Sequence, residues 1–181
     1  LELGYNMIHL PVPKVISEEE IKVEVRTKSG FVAGEKFFKL TPVKNREVFL
    51  LHHSHVDIGY THVQSEVEEI QQANLSQAIK LAESTANYPI GSQFKWNVEV
   101  MWVVDSYLKK ANPKERIELV ESIKKGWIGL DGLYGNELTA LCRPEELMKL
   151  TDFSRRFSKQ FGVPIDSAMI SDVPGFTWGL V

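Results

Sequence analysis

The sequence predicts an α/β protein, with a parallel β/α region over residues 46–181 preceded by a short β segment over residues 1–45. Three observations carry this. In the first part apolar residues alternate with charged ones, the period of a half-buried strand. From Val48 onward short apolar runs alternate with longer stretches of helical spacing, the pattern of β/α units on a parallel sheet. Polar and titratable residues then gather directly after the apolar runs, where the ligands of such folds lie.

In the β segment, Pro11 and Pro13 make the N-terminal stretch extended and loop-like. Ile21, Val23 and Val25 point one way, and Lys22, Glu24 and Arg26 the other. Lys28-Ser29-Gly30 supplies a turn, and Phe31-Val32 through Phe37-Phe38-Lys39-Leu40 returns as a second strand. Two or three strands are too few for independent stability. The segment therefore reads as the last strands of a β domain cut off upstream, or as an extension packing on the next domain. Thr41 to Arg46 is the expected linker.

Val48-Phe49-Leu50-Leu51 is expected to be a strand buried on both faces. Residues 63–86 follow with helical spacing through Val67, Ile70, Ala78 and Leu81. Phe94 to Asn97 is the second strand, and Glu99 to Lys110 a helix. Asn112-Pro113 gives an N-cap with proline in the first helical position; Ile117, Val120 and Ile123 form the stripe, and Gly126 closes the helix. Trp127 to Leu130 is the third strand. A helix from Pro144, with Glu145 and Glu146 in its first turn, carries Leu147, Leu150, Phe157 and Phe161 and stops at Gly162. Ala168-Met169-Ile170 is the fourth strand. Four strands form either an open sheet or part of a closed barrel, which needs about twice as many.

Composition sets the outer bounds. The 181 residues are 43% hydrophobic and 25% charged, with net charge −3, as in ordinary soluble domains. No Lys/Arg patch dominates any segment, so nucleic acid is not an expected partner. No apolar run approaches the roughly 18 residues that span a bilayer, so no membrane partner is expected either. Cys142 is the only cysteine, which rules out an intrachain disulfide and a cysteine-rich zinc site. No signal-peptide pattern and no initiator Met stand at the N-terminus. The sequence reads as a soluble piece of a longer polypeptide, secreted or periplasmic if a signal has been removed.

Four of the five histidines lie between positions 52 and 62. After the first apolar run come His52, His53, Ser54, His55, Val56 and Asp57; after the second, Asn97 and Glu99; after the third, Asp131, Asn136 and Glu137; after the fourth, Ser171 and Asp172. In extended chain, residues i and i+2 face the same side, so His53, His55 and Asp57 can converge on one point. Imidazole nitrogen with carboxylate oxygen suits zinc or another divalent ion. The alternative is a set of solvent-facing or hydrogen-bonded loop histidines. Asp172 lies in Asp-Val-Pro-Gly, which is either a simple turn or a functional carboxylate across the sheet from the His cluster. Glu99 suits the start of a helix, where an acid complements the dipole. Glu137 reads as a cap, a loop residue or a site residue. Trp96, Trp102, Trp127 and Trp178 suit a core, while Tyr60 and Trp178 are best placed as platforms for a sugar ring.

These motifs resemble a family. His53-Ser54-His55-Val56-Asp57-Ile58-Gly59-Tyr60 resembles the opening motif of the family-38 glycoside hydrolases, the retaining α-mannosidases. Phe94-Lys95-Trp96-Asn97-Val98-Glu99 resembles their second strand, Gly126-Trp127-Ile128-Gly129 through Asn136-Glu137 the segment after it, and Ile170-Ser171-Asp172-Val173-Pro174-Gly175 their Ile-Asp-Pro-Phe-Gly motif. Tyr60 stands where that family usually has Trp, Val56 where it has Asn, and Ile58 where it has Pro. The resemblance implies a parallel β/α fold, an incomplete seven-stranded barrel of the glycoside hydrolase/deacetylase type. It implies metal-dependent hydrolysis of α-mannosides by double displacement, with His55, Asp57 and Asp172 on zinc or another divalent metal and Asp172 also the nucleophile. Tyr60, Glu137 and Trp178 would meet the carbohydrate substrate. A fourth ligand and the acid/base carboxylate would come from the rest of the polypeptide beyond residue 181, so this piece alone is expected to bind metal weakly and hydrolyse little. A carbohydrate deacetylase and a non-catalytic carbohydrate-binding module are the alternatives on the same scaffold.

Overall fold

The computed structural model describes residues 4–5 and 7–180. The chain divides into two compact units, Leu1–Phe49 and Leu50–Val181. In the first, β1 (Glu19–Arg26) and β2 (Val32–Leu40) pair antiparallel, with Ile21 opposite Phe38 and Val23 opposite Lys36. The turn closes through Thr27 N–H to Phe31 O at 2.8 Å and Gly30 N–H to Thr27 O at 2.9 Å. Lys22 bridges the strands to Glu35 at 2.7 Å. The period-two pattern thus builds the hairpin it predicts, although Phe37 and Phe38 stay exposed.

The second unit is mixed α/β. Its sheet is a parallel pair, β3 (Trp96–Val98) and β4 (Ile128–Leu130). The helices are α1 (Gln64–Ser84), α2 (Met101–Lys110), α3 (Pro113–Lys124), α4 (Pro144–Lys149) and α5 (Asp152–Phe161), with 3-10 turns at Thr139–Leu141 and Trp178–Leu180. The core joins Val98, Ile128 and Leu130 of the strands to Leu75 and Ala78 of α1, Val104 and Tyr107 of α2, Leu119 and Ile123 of α3, and Phe157 of α5. No closed barrel forms among the described residues. No helix of theirs is long and apolar enough to cross a membrane.

The α3 start is as its sequence demands. Asn112 accepts from the backbone N–H groups of Lys114 and Glu115, and Glu115 returns a bond to Asn112 N–H. This capping box satisfies donors that the first helical turn leaves free. At the other end of the helical region, α5 stops at Gly162 (φ 67°, ψ 33°), a left-handed position that a residue without Cβ adopts at no steric cost.

Four local expectations are corrected. Val48 to Leu51 is not a buried strand: all four side chains are exposed, and the backbone bond to β3 comes at the next residue, Asn97 N–H to His52 O at 2.7 Å. Likewise residues 168–170 form no strand, the nearest link being Gly132 N–H to Ser167 O at 2.7 Å. One bond is too few to propagate a ladder. The helix expected from Pro144 to Phe161 breaks in two at Leu150-Thr151, where the Leu150 carbonyl accepts from Tyr134 N–H at 2.8 Å from outside the helix. Finally, the buried stripes are shifted. In α1 they run through Val67, Gln71, Leu75, Ala78, Ile79 and Ala82, leaving Ile70 and Leu81 outside. In α3 they include Leu119 and leave Ile117 exposed.

The α3 register is testable. Leu119 is fully buried in the core, so Leu119→Ala should lower the unfolding free energy by about 2–5 kcal/mol. Ile117→Ala should cost well under about 1 kcal/mol. Denaturant titration of both variants checks the pair; equal losses would contradict this packing.

Candidate active site

Glu99 follows β3 directly, and Asp131 follows β4 directly. Around these two carboxylates the carboxyl edge of the strand pair is organised. The 52–57 segment passes the end of β3, held by the His52–Asn97 backbone bond. The segment at Ser167 passes the end of β4, held by the bond from Gly132.

Val56 is buried in the core, which turns His55 and Asp57 together to the other side, as period two requires. Glu99 is 1% exposed. Its Oε1 lies 3.0 Å from His55 Nδ1, and its Oε2 accepts from Val56 N–H at 2.7 Å. From the other side, Gln71 of α1 donates to His55 O at 3.1 Å and to Ser54 Oγ at 3.2 Å; Asn74 donates to the same hydroxyl at 3.3 Å. The segment is thus clamped between β3 and α1. His55 Nε2 stands 3.3 Å from Asp57 Oδ1 without the alignment of a hydrogen bond, and it is buried with no hydrogen-bond partner. The hydrogen bond to Glu99 raises the His55 pKa above its ordinary value, against desolvation; the Glu99 charge and the Asp57 carboxylate standing beside Nε2 add to the rise.

Asp131, 4% exposed, accepts from Asn97 Nδ2 and, at 3.1 Å, from Ser167 Oγ. It ties three chain segments together at the strand ends. A Cβ at Gly129 would sit 2.6 Å from Asn97 Oδ1, so this arrangement needs glycine there.

The remaining sequence-derived candidates are spread out. Asp172 is exposed, has φ 56°, and makes no hydrogen bond or ion pair among the described residues. Its loop is pinned further along: Gly175 O accepts from Ala140 N–H at 3.0 Å and from Thr139 Oγ1 at 3.2 Å, and Thr177 N–H donates to that hydroxyl at 3.2 Å. Tyr60, Glu137 and Trp178 are exposed. His53 Nδ1 and both side-chain amide atoms of Asn136 are buried without partners. So His55 and Asp57 come together, and no contact joins Asp172 to them; no three His, Cys, Asp or Glu side chains among the described residues are grouped closely enough to hold one metal ion.

Two readings of Glu99 are open in the sequence, an acid at a helix start and a polar residue at the ligand edge after the second strand. It sits before α2, whose cap is the extended Val100, and faces inward to His55. Gln71, Asn74 and Ser167 were missed. For Gln71 a signal existed: a polar residue inside the apolar stripe of α1.

A parallel strand pair flanked by helices, carrying a His–Asp pair at its carboxyl edge, defines an α/β domain whose ligand edge is the carboxyl end of its strands. The sequence model described as the N-terminal domain of glycosyl hydrolases family 38 matches residues 45–180, and the chain belongs to that family. Among solved structures it is similar in fold to a protein of glycosyl hydrolase family 38 from Enterococcus faecalis, with 16% identity and a TM-score of 0.51. That match covers 65% of this chain and 13% of the other, so the chain spans a small part of that protein's length. No curated protein matches it.

The raised His55 pKa has a consequence for stability. The folded chain holds the His55 proton more tightly than the unfolded chain does. The resulting stabilisation is fully present below the ordinary value of 6.5 and is lost as pH rises through the higher folded-state value. Denaturant unfolding across this range, with chelator present, should show that decline, and His55→Gln should remove it. An unchanged slope in the variant would contradict the assignment.

Proposed function

We propose that this chain supplies part of the active site of a retaining, metal-dependent glycosidase acting on α-mannosides. The observation that supports this best is the buried His55 Nε2, without a hydrogen-bond partner and 3.3 Å from Asp57 Oδ1. Leaving a buried polar atom unpaired costs about 1–3 kcal/mol, which an occupant would offset. Imidazole nitrogen beside carboxylate oxygen is a donor pair that zinc accepts, so these two residues suit the ion as part of a ligand set that needs further donors.

In this reading His55 and Asp57 hold zinc or another divalent ion, and Asp172 joins them. The ion, when bound, would orient the sugar hydroxyls and favour an oxocarbenium-like ring. Asp172 acts as nucleophile. Its carboxylate oxygen bonds to the anomeric carbon as the glycosidic C–O bond breaks, and the leaving oxygen takes a proton from an acid elsewhere in the polypeptide. Water then attacks the anomeric carbon, giving its proton to the conjugate base of that acid, as the bond to Asp172 breaks; this restores the carboxylate and retains the configuration. Asp172 is exposed, which leaves its carboxylate free for such an attack. Tyr60 and Trp178, 89% and 91% exposed, offer faces on which a pyranose can stack, and Glu137 can accept from its hydroxyls.

Two measurements test the reading. Titration calorimetry of the chain with zinc should give weak binding that both His55→Ala and Asp57→Ala abolish; binding unaffected by either would sink it. In the complete polypeptide, Asp172→Gly should eliminate turnover of an aryl α-mannoside. The same change should stabilise the fold by about 1 kcal/mol, since a left-handed non-glycine residue is strained. Retained turnover in that variant would exclude Asp172 as nucleophile.

A further inference from the structure

We infer that Glu99 is the positioning residue of the His55–Asp57 pair: its carboxylate keeps the His55 ring proton on Nδ1 and so presents Nε2 bare beside Asp57. The inference rests on reading that pair as metal ligands, but it is decided on the ring itself.

A neutral imidazole carries one N–H, and the partner of one nitrogen determines which atom holds it. Glu99 Oε2 receives the Val56 N–H at 2.7 Å, and a backbone N–H can only donate. That bond fixes the orientation of the carboxyl group and leaves Oε1 facing His55 Nδ1 at 3.0 Å. With Oε2 committed to the amide, the remaining oxygen Oε1 is the acceptor that Nδ1–H would meet. The Glu99 side chain has no exposed surface, so bulk water does not compete for either oxygen. One carboxylate therefore grips both the ring of the first candidate ligand and the amide that links it to the second. On the opposite side, Gln71 holds His55 O at 3.1 Å independently of Glu99. A change at Glu99 thus leaves part of the clamp in place.

Glu99→Gln keeps the shape and changes the chemistry. If the amide oxygen takes the Val56 N–H, the amide NH2 faces Nδ1 and donates to it. The ring proton then moves to Nε2, on the side of Asp57, and blocks the nitrogen that would bind an ion. The reverse amide orientation sets NH2 against the Val56 N–H and loses that bond.

Long-range proton–nitrogen correlation spectra of the metal-free chain, recorded with His55 neutral, read the tautomer directly. The wild-type ring should show a protonated Nδ1 and a bare Nε2. In Glu99→Gln the two should exchange, and zinc affinity should fall roughly 10–100-fold. A wild-type ring protonated on Nε2, or a variant with unchanged tautomer and affinity, would overturn the inference. If the variant fails to fold, the wild-type spectrum decides alone. A wild-type chain that has the Nδ1–H tautomer but takes up no zinc would support the positioning role and defeat the metal reading, so the two failures are distinguishable.

Discussion

One carboxylate with no exposed side-chain surface, that of Glu99, sets the terms for the rest of this site. A polar group removed from water is costly unless hydrogen bonds replace the solvent. Here the replacements come from a ring nitrogen and a backbone amide that belong to adjacent residues, His55 and Val56. The same two bonds that make the burial tolerable therefore determine where the 52–57 segment lies and how the His55 ring is turned. Val56 in the core completes the constraint, because it forces its two neighbours to the opposite side. Stability and site geometry are in this sense one arrangement.

Asp131 repeats the device one strand over. It draws Asn97 and Ser167 to the end of β4, and Gly129 leaves the room that the Asn97 side chain needs. The sheet between the two carboxylates is only two short strands. The flanking segments are attached at its edges by single backbone bonds, so side-chain bonds to buried acids carry much of the connection that a longer ladder would otherwise provide. His55, Glu99 and Asp131 stand at the carboxyl edge that the fold itself makes available.

What the sequence made legible was whatever depends on local period and local chemistry. Alternation in residues 21–26 gives the hairpin strand, Asn112-Pro113 gives a capped helix, and the His-x-Asp spacing brings His55 and Asp57 to one side. What it hid depends on distant partners. The break at Leu150 falls where Tyr134, far away in sequence, makes its bond. Val48 to Leu51 is apolar enough for a buried strand, but its burial requires layers that period alone cannot supply. Glu99 has the composition of a helix-start acid, and only the fold shows that its side chain turns inward to residues 55 and 56. Gln71 likewise becomes intelligible once α1 is seen to pass behind Ser54 and His55.

If His55 Nε2 and Asp57 are ligands of one zinc ion, as proposed, the ion sits between them. Anomalous diffraction at the zinc edge, from crystals of the chain grown with zinc, measures this directly. A single anomalous peak is expected at about 2.0–2.2 Å from both His55 Nε2 and an Asp57 carboxylate oxygen. A peak elsewhere with this pair unchanged, or no peak at saturating zinc, would contradict that proposal.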